Sequence, residues 1–195
     1  LANMKFYRRV VYPVQCNWKV YVDNYLEGYH LPFVHPELCN LLDYQNYVTE
    51  TFEYSSLQHS PIRQTESPYG GGEGPAYYFF VWPNFMLNIL PGRVQTNVVC
   101  PVTHNTCEVH FDYYYGDVTS EEAQKRAEED VAYSDRVQKE DSEICERVQI
   151  GLESQAYDKG RFSPECENGV YHFQCLLKEA YREAIRGGKK KEARS

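Results

Sequence analysis

The stretch CEVHFDYYY, Cys107 to Tyr115, constrains the fold most tightly. Cys107, Val109, Phe111, Tyr113 and Tyr115 share one face of an extended strand, while Glu108, His110 and Asp112 share the other. A strand with one apolar and one polar face belongs to an antiparallel sheet buried on one side. A helical pattern follows directly, from Thr119 to about Ile150. Thr119 or Ser120 suits its N-cap, Glu121 and Glu122 suit the positive end of its dipole, and Gly151 is placed to stop it. The sheet face and the helix must cover each other.

The remaining elements fill in around that pair. The pattern predicts a strand over residues 5–15, a helix over 17–30, a helical turn or loop from Glu37 to Tyr44 and a strand from Tyr47 to Leu57. Ser67 to Pro75 is a loop by composition. Strands follow over Tyr77–Trp82, Phe85–Leu90 and Arg93–Pro101, separated by Pro83-Asn84 and Pro91-Gly92, and a second long helix spans about Tyr171 to Ile185. The expected class is α+β, an antiparallel sheet gripped by long helices in the helix-grip manner of START and Bet v 1 proteins. One domain covers residues 1–186, and residues 187–195 form a disordered, solvated tail. The abrupt strand-like opening, LANMKFYRRVVYPVQ, suggests a domain cut from a longer polypeptide.

Composition excludes several function classes. A net charge of −8 offers no basic field for nucleic acid or anionic lipid. The apolar runs are too short to span a bilayer and no signal peptide opens the chain, so no membrane association is expected. Seven cysteines, an odd number without regular spacing, read as reduced thiols of a cytoplasmic protein rather than a disulfide framework. Eighteen tyrosines and nine phenylalanines suit aromatic-rich strands or an aromatic-lined pocket.

Chemistry concentrates in Asn17 to Pro36, NWKVYVDNYLEGYHLPFVHP. On a helix Asp23, Glu27 and His30 stack on one face at i, i+4 and i+7. Pro32 is expected to push Leu31 out of helical geometry and end the helix near His30, so that His35 arrives from a turn closed by Pro36. The bend lets both imidazoles converge. Two histidines plus one carboxylate with open positions suggest non-haem Fe(II); the bland reading is a histidine pair satisfied within a loop. The third ligand is sought on the long helix. Its apolar stripe carries Val137, Ile144 and Val148, and Asp141 falls on the same stripe. A carboxylate there costs several kcal/mol, roughly, unless it is paired or binds a cation. An Arg or Tyr partner would serve as well as a metal, whereas Glu140 and Glu143 lie off the stripe and need no partner.

These two stretches, the second read as QKEDSEICERVQIGLES, resemble the catalytic domain of Rieske non-haem iron oxygenase α subunits. The resemblance covers nearly the whole chain. It implies that His30, His35 and Asp141 hold a mononuclear Fe(II). It also implies that Glu27, three residues before His30, is the bridging acid that passes an electron from the cluster of a neighbouring subunit and can back the imidazole. Asn17, Trp18 and Asn24 fit the motif's shape as residues that hold the helix. One departure is large. The family's two-iron, two-sulfur cluster is held by Cys-x-His and Cys-x-x-His, and here the nearest approach, Cys107 and His110, faces opposite sides of a strand. The Rieske domain is therefore expected outside this chain, which alone should not turn over.

The resemblance further implies dioxygen as co-substrate, a reductase or ferredoxin donor drawing on NAD(P)H, and a homotrimer. Glu within NYLEGYH looks most like members acting on choline, carnitine or betaine, whose trimethylammonium group rings can cage by about 0.5–2 kcal/mol per contact. Phe80, Trp82, Phe85 and Tyr113 are the candidate cage residues. Competing readings are an aromatic-ring dioxygenase with the same iron site, a non-catalytic module binding an apolar ligand and, more remotely, a zinc hydrolase with Glu27 as base.

Overall fold

Among the described residues, seven strands form one antiparallel sheet in the order β1-β7-β6-β5-β4-β3-β2. The structure is a computed structural model that describes residues 1–43, 46–62 and 74–192. The strands are β1 (Lys5–Val14), β2 (Val48–Thr51), β3 (Ser55–Pro61), β4 (Pro75–Val81), β5 (Phe85–Leu90), β6 (Arg93–Pro101) and β7 (Cys107–Tyr115). The helices are α1 (Trp18–Tyr25), α2 (Leu31–Val34), α3 (Pro36–Leu41), α4 (Glu121–Glu153) and α5 (Asn168–Glu192). Strands β2 to β7 run as a meander, and β1 returns to pair with β7 from Lys5↔Tyr115 to Val14↔Cys107. As the alternation requires, Cys107, Val109, Phe111, Tyr113 and Tyr115 are buried, and the helices cover that face. His110 is on the other face, where its Nε2 meets Glu108 at 3.1 Å, away from Cys107.

Several boundaries differ from the sequence expectation. The single strand at 47–57 is a hairpin, β2 and β3, whose turn closes with Phe52 N–H on the Ser55 carbonyl at 2.8 Å. No Gly, Pro or Asn marks that turn, so its aromatic residues read as strand. Helix α4 runs through Gly151 to Glu153, because a glycine inside a helix costs only about 1 kcal/mol unless the backbone turns left-handed there. Helix α5 begins at Asn168 and continues to Glu192, so the backbone is helical where a disordered tail was expected from residue 187. The predicted 67–75 loop lies mostly outside the described residues.

Long-range caps hold α1 in place. The Asn17 side chain accepts the Lys19 N–H at 3.1 Å, its backbone N–H donates to Gln149 of α4 at 2.8 Å, and its amide reaches the His104 carbonyl. Gly169 lets α5 approach the end of α1, since a Cβ there would sit 2.6 Å from the Leu26 carbonyl oxygen. At one end of the sheet, Phe173 of α5 is fully buried among Trp18, Phe80 and Trp82, with ring centroids 5.6–5.9 Å away. No helix among the described residues is long and apolar enough to cross a membrane.

Candidate metal centre

Helix α1 ends earlier than the stripe of acids and imidazoles suggested. Leu26 closes it by returning its N–H to the Val22 and Asp23 carbonyls, so Glu27 and His30 lie beyond the helix. Asp23 therefore points elsewhere: both its carboxylate oxygens accept from Gln174 of α5 at 2.9 Å. Pro32 starts α2 rather than stopping α1. In a first turn its missing N–H costs nothing, and its fixed φ suits the helix. Pro36 does the breaking, holding His35 at φ −122°, ψ 70° between α2 and α3. Gly28 permits the sharp path, with the Tyr47 ring 3.0 Å from where a Cβ would stand.

That path brings His30 and His35 to 5.2 Å between ring centroids, with the planes at 74°. His35 Nε2 lies 2.9 Å and His30 Nε2 3.8 Å from Asp141 Oδ1 on α4. One ligand atom from each of the three side chains lies within 4.8 Å of the others. The opposite edge of each ring is tied to an acid. Glu27 Oε1 meets His30 Nδ1 at 2.5 Å while its Oε2 accepts the His30 backbone N–H at 3.2 Å. Glu140 Oε2 meets His35 Nδ1 at 2.7 Å. A carboxylate only accepts, so each Nδ1 carries the hydrogen and each Nε2 is turned to the shared space, where that of His35 meets Asp141 through a proton or, in its place, a cation.

Glu140 joins the cluster without a sequence signal, and Asn24, expected to hold the helix, reaches Asp141. Glu140 was set aside as lying off the stripe; it reaches His35 from the flank of α4. Asn24 donates to Asp141 Oδ1 at 2.7 Å, fixing the carboxylate's orientation. Burial alone lowers the His35 pKa, but hydrogen bonds and charge from Asp141 and then Glu140 outweigh it and raise the pKa. Glu27, Glu140 and Asp141 place three carboxylates around two imidazoles. This set suits a divalent cation, which would replace the proton that His35 otherwise needs between Nε2 and Asp141.

The α4 stripe is also different from the expected one. Its buried positions include Ser134, Gln138 and Cys145, with Asp141 half-buried between them, while Val148 is 45% exposed. Polar residues occupy the inward line because it borders a cavity rather than a dry core. That cavity lies between α4 and the sheet and offers ≈ 120 Å³ to the centre of a water molecule, room for several waters or a small organic molecule. Asn88, Gln95 and Asn97 face it from β5 and β6, and Tyr25, Tyr47, Tyr78 and Phe111 supply its rings. Burial pushes Tyr78 up to about 12 and Tyr25 well above the ordinary phenol value, so both act as neutral groups. The Tyr25 hydroxyl donates to Asn88 Oδ1 at 2.7 Å.

None of the four expected cage aromatics is among the cavity's lining residues. Phe80 and Trp82 pack on Phe173, Phe85 sits on the outer face of β5, and Tyr113 is buried with its hydroxyl on Ser134 at 2.9 Å. The ring that faces the cavity from β7 is Phe111, one alternation away from Tyr113. The useful signal was polar: Arg93, Gln95 and Asn97 alternate on the inward face of β6, where a dry core would place valines.

Choline monooxygenase of Arabidopsis thaliana is 42% identical over 181 residues, 90% of this chain and 42% of that protein. The oxygenase subunit of carnitine monooxygenase from Acinetobacter pittii is 30% identical over 196 residues, 93% of this chain and 52% of its own length. The chain thus spans about half, or less, of the curated relatives it matches. A solved quaternary ammonium Rieske monooxygenase, described for carnitine oxidation by gut microbiota and inter-subunit electron transfer, superposes with a TM-score of 0.82 at 29% identity, covering 91% of this chain and 51% of that one. Dicamba monooxygenase, at 18% identity and TM-score 0.64, shares the fold. Residues 1–183 match the family model described as ring hydroxylating alpha subunit (catalytic domain), and the chain belongs to that family.

Proposed function

We propose that residues 1–186 are the iron domain of a Rieske-type monooxygenase that hydroxylates a small quaternary ammonium compound. The observation that carries this reading is the convergence of two Nε2 atoms and Asp141 Oδ1 on one space, with both Nδ1 atoms tied to carboxylates. His30, His35 and Asp141 would hold Fe(II), which when bound supplies the one-electron chemistry that lets dioxygen react with a C–H bond.

The chain's own residues do the rest. Glu27 and Glu140 fix the tautomer and direction of each imidazole, and Asn24 fixes Asp141. Leu31, Leu38, Leu90 and Val137 line the cavity with apolar surface that keeps bulk water out. The faces of Tyr25, Tyr47, Tyr78 and Phe111 suit a trimethylammonium group, each contact being worth about 0.5–2 kcal/mol. Glu27 lines both this cavity and a larger outer groove bordered by Val148, Leu152, Tyr157 and Phe162. That position suits the bridging acid, with electrons arriving from a two-iron, two-sulfur cluster on a neighbouring subunit of a homotrimer. A reductase or ferredoxin drawing on NAD(P)H would recharge the cluster. All seven cysteines are free thiols, in keeping with a reducing compartment such as the cytoplasm.

The test is anaerobic reconstitution followed by metal analysis and ligand calorimetry. One iron per chain, together with saturable binding of choline-type cations, supports the proposal. Absence of stoichiometric iron, or a preference for neutral aromatics over every cation, contradicts it.

A further inference from the structure

Two tyrosines join the cavity to the outer surface of α4. Ser134 lines the cavity and is 6% exposed. Its hydroxyl oxygen accepts from Tyr113 of β7 at 2.9 Å, and Tyr113 is fully buried. Next along the helix stands the exposed Asp135, whose Oδ1 accepts from the Tyr12 hydroxyl of β1. Because Ser134 and Asp135 are neighbours, the two phenols end side by side, and each hydroxyl has the other among its hydrogen-bond partners. Ser134, Tyr113, Tyr12 and Asp135 thus form an unbroken polar row from cavity to solvent. Burial pushes both phenols above their ordinary range, so they stay neutral, each with one hydrogen to pass on and an oxygen to receive another.

We infer that this row is the cavity's proton relay, carrying protons inward from Asp135 to the oxygen being reduced. The inference rests on the monooxygenase reading above and deepens it. Placing one atom of dioxygen in a C–H bond and turning the other into water takes two electrons and two protons. The electrons come from the iron–sulfur donor. The protons need a path of their own, because Leu31, Leu38, Leu90 and Val137 keep bulk water out. The histidine edges do not supply one: with both Nε2 atoms on a metal, each Nδ1 keeps its hydrogen on Glu27 or Glu140 and has none to give. In the relay a proton taken up at Asp135 passes to the Tyr12 oxygen. The Tyr12 hydrogen then moves to Tyr113, that of Tyr113 to Ser134, and that of Ser134 into the cavity. One proton enters, one leaves, and every link ends with the charge it began with once the hydroxyls turn back. Ser134 and Asp141 both face the cavity from α4, separated by a rise of about 10 Å that water in the cavity can span.

The relay is tested in the Fe(II)-loaded protein under nitrogen and in the full enzyme reconstituted with its cluster and electron donor. Under nitrogen, infrared spectroscopy after a jump into heavy water should show the Tyr113 hydroxyl exchanging at least about tenfold more slowly in Tyr12→Phe than in the wild type. In turnover, Tyr12→Phe and Tyr113→Phe should lower kcat at least about tenfold and raise the solvent isotope effect, with KM and iron content unchanged. Asp135→Ala should lose rate likewise and regain it with added formate, a small carboxylate that can hand over a proton at the same entrance. Tyr7→Phe removes a hydroxyl that donates to Glu128 outside the row, and it should change none of these. Unchanged Tyr113 exchange in Tyr12→Phe overturns the relay, and so does an unchanged isotope effect in a folded Tyr113→Phe enzyme. Failure of the wild type to oxidise any quaternary ammonium compound removes the monooxygenase reading and the relay together. Wild-type oxidation that the row's variants match in rate and isotope effect removes only the relay.

Discussion

The two ends of the buried sheet face are built on opposite principles. Around Phe173, rings from α1, β4 and α5 pack edge to face in a dry core. Around His35, the same sheet and the same α4 present amides, carboxylates and a buried arginine to a cavity. The first region is held by area removed from water, and the second by hydrogen bonds that fix direction. Stability should therefore reside at the aromatic end and chemistry at the polar end, and substitutions should separate the two.

The widest separation is expected from Asp141→Ala. Removing a carboxylate that faces two imidazoles should take iron retention from about one per chain to near zero, with little loss of thermal stability in the metal-free protein. Metal analysis beside a melting curve checks both halves. Phe173→Ala should do the reverse, costing about 3–5 kcal/mol in denaturant unfolding while the folded fraction still binds iron.

Asp23 sharpens the contrast, being a carboxylate outside the histidine-lined cavity with an amide for a partner. Burial raises its pKa to about 7 from 3.8, against the lowering by Gln174; Glu167 raises it further and Lys19 opposes. The folded protein then holds a proton that the unfolded chain releases near pH 4. Stability contributed by this site is full below about pH 4 and falls as pH rises to about 7, by roughly 4 kcal/mol at most. Asp23→Asn should flatten that slope, raising the melting temperature at pH 8 and leaving it unchanged at pH 4.

Smaller effects belong to the acids behind the imidazoles. Glu140→Ala should weaken Fe(II) binding about tenfold to a hundredfold, with Glu140→Gln recovering part of it, as titration with a competing chelator would read. Glu27→Gln should keep the metal and stop multi-turnover oxidation in the reconstituted full system. The smallest effect tests the discarded cage: Phe85→Ala, on the outer face of β5, should leave choline affinity unchanged.

Sheet and long helices were legible because their signals are periodic. The β7 alternation and the α4 cap at Ser120 carry their physics within a few residues. The site was legible only in part. His30, His35 and Asp141 stand out by type, but Pro32 sits in the first turn of α2 while Pro36 ends α2 and opens α3, and spacing alone does not tell which proline marks a break. Glu140 escaped because it works from the edge of α4, where an acid needs no explanation. The cavity rings escaped because Tyr113 and Phe111 share one face, and only tertiary packing decides which meets Ser134 and which meets open space.

Anomalous diffraction at the iron edge, from crystals of the Fe(II)-loaded protein, tests the central claim most directly. The account predicts a single peak at bonding distance from His30 Nε2, His35 Nε2 and Asp141, with Glu27 and Glu140 still on the Nδ1 atoms. A peak bound elsewhere, or one that leaves the Asp141 carboxylate out of reach, would contradict it.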